Sequence, residues 1–195
     1  RLICTVAPGW MEEEFEILNV EYEGRIPKTI EYVEILKALW TEDPSSYEGN
    51  YFNFKNVSFH PKPKQKNLQV WMGGNHNNAI KRSLDHADGW QPIWFSAQEL
   101  REKISYLNDY SDKIGRNLDN FNISLRNRIR ITNKSKKDSG QPETALIGSK
   151  DEVIDKILSY ENLKIKEIVL DFITPDKDEI IETMEIMGKE LIPKL

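Results

Sequence analysis

The run Gly73-Gly74-Asn75-His76, set between Val70-Trp71-Met72 and Ala79-Ile80-Lys81-Arg82-Ser83-Leu84, is where this sequence could do chemistry. Two glycines let the backbone turn sharply at a strand end and leave a helix N-terminus unobstructed. Unpaired N–H groups and the helix dipole at such an end favour an anion such as a phosphate. His76, beside the same helix start, could hydrogen-bond a phosphate oxygen as a neutral imidazole. Glycine also serves as plain turn punctuation, so the pair alone leaves both a ligand site and a simple corner open.

Trp10 and Trp90 offer flat apolar faces that suit either a planar ring or ordinary core packing. Lys28 and Arg25 are cations that either reach a phosphate or stay solvated. His60 and His86 have no partner pattern. Three scattered histidines and the single Cys4 point to no metal site and no internal disulfide, which suits a reducing, cytoplasmic setting.

The elements that must position these residues follow from periodicity. Leu2 to Val6 has the length and β-branched content of a short, central, buried strand, closed by Ala7-Pro8-Gly9. From Lys28 to Trp40 apolar positions recur at three and four residues, which predicts an amphipathic helix with Pro27 at its start. Residues 45–68, aromatic-rich and punctuated by Gly49, Asn50 and Asn53, read as a long excursion that covers a site or packs as a satellite cluster, with room for a small hairpin. The glycine turn then leads to a helix over 76–87, a strand at 89–92, and a helix from Ser96, with Glu99 placed for a capping box, to Ile114 before Gly115. Alternation predicts a strand over 121–131, and Asn133 to Glu143 reads as a mobile surface loop. A helix over 150–160, a buried strand over 168–172 and a final helix over 176–191 complete the order. Strands alternating with helices predict an α/β fold of about five parallel strands with helical crossovers.

At 195 residues, 38% hydrophobic and 30% charged, the chain suits one soluble domain with a real core. No apolar run approaches the ~20 residues of a membrane span. A net charge of −5 argues against a nucleic-acid partner. The chain starts directly on an apolar run with neither initiator methionine nor signal peptide, which reads as an interior start. The glycosylation sequons at Asn56, Asn122 and Asn133 are discounted as chance matches.

Leu2 to Trp10, Glu13-Glu14-Phe15, Gly24-Arg25, Glu31, Leu39-Trp40, Gly49-Asn50-Tyr51-Phe52, Pro61-Lys62-Pro63 with Gln65, Val70 to Gly74 and Ala87-Asp88-Gly89-Trp90 together resemble the bacterial luciferase-like monooxygenase family. The resemblance runs on through Gly148-Ser149, the 168–172 strand and Leu191-Ile192-Pro193, so it covers essentially the whole chain. It implies a (β/α)8 TIM barrel that works with FMN or with the deazaflavin coenzyme F420 (8-hydroxy-5-deazaflavin). In that family the segment resembling residues 2–10 is about the fourth strand. A complete barrel needs about 250 residues, so the resemblance implies a C-terminal portion with the first three strand–helix units absent.

The resemblance also implies site roles. Ala7, Pro8, Gly9 and Trp10 would contact the cofactor, and Gly73, Gly74 and Asn75 would hold its phosphate through backbone amides, with His76 close by. Lys28 stands where family members often carry a phosphate-reaching arginine, and Trp90 with Trp10 could wall the ring. The hard chemistry is the cofactor's, and no residue is assigned a catalytic role. The expected function is an oxidoreductase or monooxygenase passing hydride to or from a small organic substrate. The alternative is a truncated, non-catalytic paralogue acting as a binding or assembly subunit. Open sheet edges imply a homo-oligomer or pairing with the N-terminal barrel units.

Overall fold

The computed structural model describes residues 2–132, 141 and 143–194. Two compact units divide the chain, residues 1–90 and 91–195. The loop expected at 133–143, with the Asn133 sequon, falls almost entirely outside the described residues.

In the first unit, strand β1 (Ile3–Val6) leads through a short helix α1 (Glu12–Ile17) to the long helix α2 (Arg25–Thr41). Helix α1 has no buried residue, and its Glu-Glu-Glu-Phe sequence carries no apolar period, so nothing in the pattern announced it. Helix α2 starts three residues before the expected Lys28, because Gly24 takes a left-handed φ of 72° as its N-cap. Pro27 then sits in the first turn, where its missing N–H leaves no bond unmade. At the other end Lys62 Nζ donates to the carbonyls of Leu39 (2.7 Å) and Glu42, closing the helix with a cation at its negative pole.

The excursion that follows contains an antiparallel hairpin, β2 (Ser45–Glu48) and β3 (Asn53–Val57), with a register shift between Ser45 and Tyr47. Strand β4 (Gln69–Gly73) pairs in parallel with β1, in the register Ile3 with Gln69 through Val6 with Met72. Val70, Trp71 and Met72 are all buried, as expected of a parallel strand covered on both faces. β1 stands at the end of the strand order rather than in its middle, so the expectation of a central, buried strand is corrected: its residues are only partly covered. Helix α3 (Asn77–His86) and strand β5 (Gly89–Gln91) follow. Asp88, between them, grips both backbone groups of Val70: its N–H donates to the Val70 carbonyl (2.8 Å), and its carboxylate accepts from the Val70 N–H (2.9 Å) and from Lys37 Nζ (3.1 Å). Val33, Val70, Met72 and Ala87, backed by Val6 and Trp40, form the core that this arrangement seals.

In the second unit, helix α4 (Ala97–Ile114) precedes strand β6 (Asn122–Ile131), which pairs in parallel with the short β7 (Leu146–Gly148) and with β8 (Glu167–Phe172). Helices α5 (Lys150–Leu158) and α6 (Lys177–Ile186) complete it. The last helix was expected to run to residue 191. It widens instead into a π-helical turn over Met187–Leu191, where Gly188 weakens helical preference. Parallel strands linked by helical crossovers make the fold α/β, consistent with part of a (β/α)8 barrel. None of the helices, over the described residues, is long and apolar enough to cross a membrane.

The capping box read from Ser96 and Glu99 is present, and Ser149 with Glu152 forms another. Hydrogen bonds from the Ser96 backbone N–H and hydroxyl hold the Glu99 carboxyl below its ordinary range. Its contribution is therefore complete at neutral pH, and is lost as pH falls below the normal glutamate range and through the lowered value. Ser96→Ala is expected to cost about 1 kcal/mol at pH 7 and less in acid, read from urea unfolding at the two pH values. A pH-independent loss would remove Glu99 from the cap.

Candidate cofactor-binding site

In parallel α/β structures chemistry gathers at the carboxyl ends of the strands. The pairing of Val6 with Met72 brings the segments that follow, Ala7–Trp10 and Gly73–His76, out at one end of the β1–β4 pair. These two segments therefore converge.

At the second, Gly74 has φ +131°, a conformation that side-chain-bearing residues rarely adopt. A Cβ there would come within 2.7 Å of the Ala79 Cβ, so the glycine lets α3 approach the strand end closely. Trp90 is fully buried, and its indole Nε1–H donates to the Gly74 carbonyl at 2.8 Å. It braces the turn from within and does not present a face outward. The N-cap of helix α3 is His76, which is exposed and extended and whose side chain makes no capping bond; the first turn holds no acidic residue. By contrast α4, α5 and α6 are capped by Ser96, Ser149 and Asp176, each with an acid in the first turn. The positive end of the α3 dipole is thus left without an anionic neighbour from its own turn.

The segment after β1 is held from below. Gly9, at φ +78°, lies against the Phe15 ring, so close that a Cβ would overlap it. Arg25 Nε donates to the Gly9 carbonyl (3.3 Å), Nη1 donates to the Tyr22 carbonyl (3.2 Å), and the guanidinium stacks 3.5 Å over the Tyr22 ring. Tyr22 in turn donates its hydroxyl proton to the Trp10 carbonyl (3.2 Å), while the Trp10 indole is 77% exposed. Arg25 acts here on the backbone of the β1 end.

A cleft of about 300 Å³ opens beside this segment, walled by Val6, Ala7, Pro8, Arg25, Lys28 and Tyr32. Lys28 Nζ donates to Glu21 Oε2 at 2.6 Å, and this bond holds the ammonium above its ordinary range. The same ammonium lies 5.4 Å from the centre of the Tyr51 ring, on the tip of the β2–β3 hairpin. That tip is pinned by Glu31. The buried carboxylate accepts backbone N–H bonds from Asn50 (2.7 Å), Tyr51 (3.0 and 3.2 Å) and Phe52 (3.1 Å), and Tyr32 packs on Phe52 with centroids 4.7 Å apart. In the sequence Glu31 carries no sign of this role, because residues 50–52 are distant along the chain. In the second unit a larger cavity of about 520 Å³, with chiefly apolar walls, lies by the start of β8, away from the strand ends that carry chemistry.

The sequence profile of luciferase-like monooxygenases matches residues 1–138, which takes in β1, the cleft, the glycine turn and α3. The chain belongs to the luciferase-like monooxygenase family. Among curated luciferase-like relatives, the FMNH2-dependent dimethylsulfone monooxygenase of Pseudomonas putida is 26% identical over 129 residues, 60% of this chain and 35% of that protein. A pyrimidine monooxygenase of Cronobacter turicensis is 29% identical over 134 residues, 62% of this chain and 34% of that protein. The chain thus spans about a third of the length of these relatives. Among solved structures, an F420-dependent secondary alcohol dehydrogenase in complex with an F420-acetone adduct superposes with a TM-score of 0.79 at 16% identity, over 99% of this chain and 69% of that one. A monooxygenase of Streptomyces bottropensis gives 0.80 at 15% identity, over 100% and 69%. These likenesses show a shared fold over the length of the chain.

Proposed function

We propose that this luciferase-like chain is the cofactor-holding part of an oxidoreductase that uses FMN or coenzyme F420 to pass hydride to or from a small organic substrate. The carrying observation is the acid-free N-terminus of α3 behind Gly74, whose His76 N-cap makes no side-chain capping bond, at the strand end where the family profile matches. A phosphate-bearing flavin fits such a cradle: the backbone around Asn75, His76, Asn77 and Asn78 would hold its phosphate, and Ala7–Trp10 would lie along the ring side. The bound cofactor supplies the redox chemistry. The protein's share is to keep the cleft shaped, which Arg25 does through Gly9 and Glu31 does through the hairpin tip. Lys28, already paired with Glu21, adds no unpaired charge there. The same proposal has residues 1–195 acting as one domain in the cytoplasm, as a homo-oligomer or beside the first three strand–helix units of a barrel.

Thermal-shift and absorbance titrations of the purified chain with FMN and, separately, with F420 test this. Saturable stabilisation by one of them is expected, about 2.7 kcal/mol at a hundredfold excess over Kd, and it names the cofactor. A folded sample that responds to neither overturns the proposal in favour of a cofactor-free binding or assembly subunit.

A further inference from the structure

The sequence Arg126-Asn127-Arg128-Ile129-Arg130 lies inside β6, and strand alternation puts its three arginines on one face. Leu125, Asn127 and Ile129, on the other face, are fully buried. Two of the arginines are neutralised. Arg126 Nε donates to Asp171 Oδ2 at 2.8 Å, and Arg130 forks onto Glu179 at 2.7 and 3.3 Å. Arg128 differs. Its Nη1 donates to the neutral Gln141 Oε1 at 2.7 Å, and its guanidinium lies 4.4 Å from the Trp94 ring centre. Among the described residues no carboxylate pairs with it.

Two hydrogen bonds hold the Trp94 backbone in this position. Its φ of +59° is a genuine outlier for a bulky side chain. Its N–H donates to the Arg126 carbonyl (3.0 Å), and its carbonyl accepts the Thr144 hydroxyl (2.5 Å). The β6–β8 register sets Arg128 opposite Asp171, one residue before the end of β8, and Trp94 belongs to the connection leaving β5. Arg128 thus lies three residues before the end of β6 but level with the end of β8, and Trp94 follows β5, towards the strand ends that carry chemistry in this architecture. Among the described residues, the hydrogen-bond partner of this partly buried guanidinium is neutral and its cross-strand neighbour Asp171 is paired with Arg126, while a planar fork matches an oxyanion with two parallel bonds.

We propose that Arg128, backed by Trp94, binds the oxyanion of a small organic ligand. The source of that oxyanion, substrate carboxylate or sulfonate on one hand and cofactor phosphate on the other, is the only part that rests on the oxidoreductase reading above.

The test uses benzoate, with benzamide as its uncharged counterpart, and FMN, each titrated calorimetrically into the full chain. The variants are Arg128→Gln and Arg128→Ala, with Arg101→Gln, on the exposed surface of α4, as a control. Arg128→Gln removes the charge and shortens the side chain but keeps a polar amide, so it remains informative if the alanine variant fails to fold. Benzoate is expected to bind saturably and benzamide not, with affinity falling about tenfold or more in Arg128→Gln and unchanged in Arg101→Gln. Loss for benzoate with FMN unaffected assigns the site to the substrate. Loss for FMN in Arg128→Gln assigns it to the cofactor phosphate. Equal affinities in wild type and folded Arg128→Gln, or no binding of either probe by the wild type, overturn the inference. FMN binding that is indifferent to Arg128, without benzoate binding, sinks this inference alone. Arg128-dependent benzoate binding without any flavin binding sinks the cofactor reading alone.

Discussion

Gly74→Ala is expected to destabilise the protein by about 2–5 kcal/mol, the sum of a strained backbone and an overpacked contact. At φ +131° a side chain is unfavourable whatever space surrounds it, and the new methyl would stand 2.7 Å from the Ala79 Cβ. The two causes separate in a double-mutant cycle. Ala79→Gly removes the steric partner but leaves φ untouched, so the double variant should recover part of the loss, with a coupling of about 1–2 kcal/mol. Urea midpoints of the four proteins provide the measurement. A single variant within about 0.5 kcal/mol of wild type would refute the close-approach account. It also follows that bulky substitutions at Gly74 test the fold before they test a ligand, so affinity is interpretable only in a variant shown to be folded.

Glu31→Ala should be nearly as damaging, at about 3–5 kcal/mol, because three backbone N–H groups would lose a charged acceptor in a nearly dry setting. Glu31→Gln keeps the shape but turns an –NH2 towards donors, so it should lose about 2 kcal/mol or more. Limited proteolysis gives a local readout: cleavage around Gly49–Phe52 should speed up in both variants before global unfolding does. Cleavage unchanged while overall stability falls would show that the carboxylate supports α2 and not the hairpin tip.

Much of the fold was legible because it rests on period and punctuation. The Ser96–Glu99 box, the two glycines before α3, and the apolar run Ile168–Leu170 each encode an element in a few adjacent residues. The family resemblance was legible for the same reason, as short ordered motifs. What escaped depends on contacts distant in sequence. Glu31 sits on an amphipathic helix, where a glutamate reads as solvated, and only the fold brings residues 50–52 to it. Trp90 read as a possible ring wall, whereas its indole N–H is committed to a carbonyl sixteen residues away. Arg128 belongs to the polar half of an alternating strand; that its two neighbours on the same face have carboxylate partners, and it has none among the described residues, is a property of β8 and α6. The edge position of β1 likewise depends on which strands are its neighbours, not on its own four apolar or β-branched residues.

The bond from Trp90 to Gly74 makes that indole a resident spectroscopic probe. Its Nε1–H is shielded by complete burial and by the carbonyl it meets, so its proton should trade with deuterium orders of magnitude more slowly than that of exposed Trp10. The rate of that trade measures how often the glycine turn comes off the core. A molecule that settles on α3 would slow the clock, reporting occupancy at the one corner of the protein where a label would be hardest to attach.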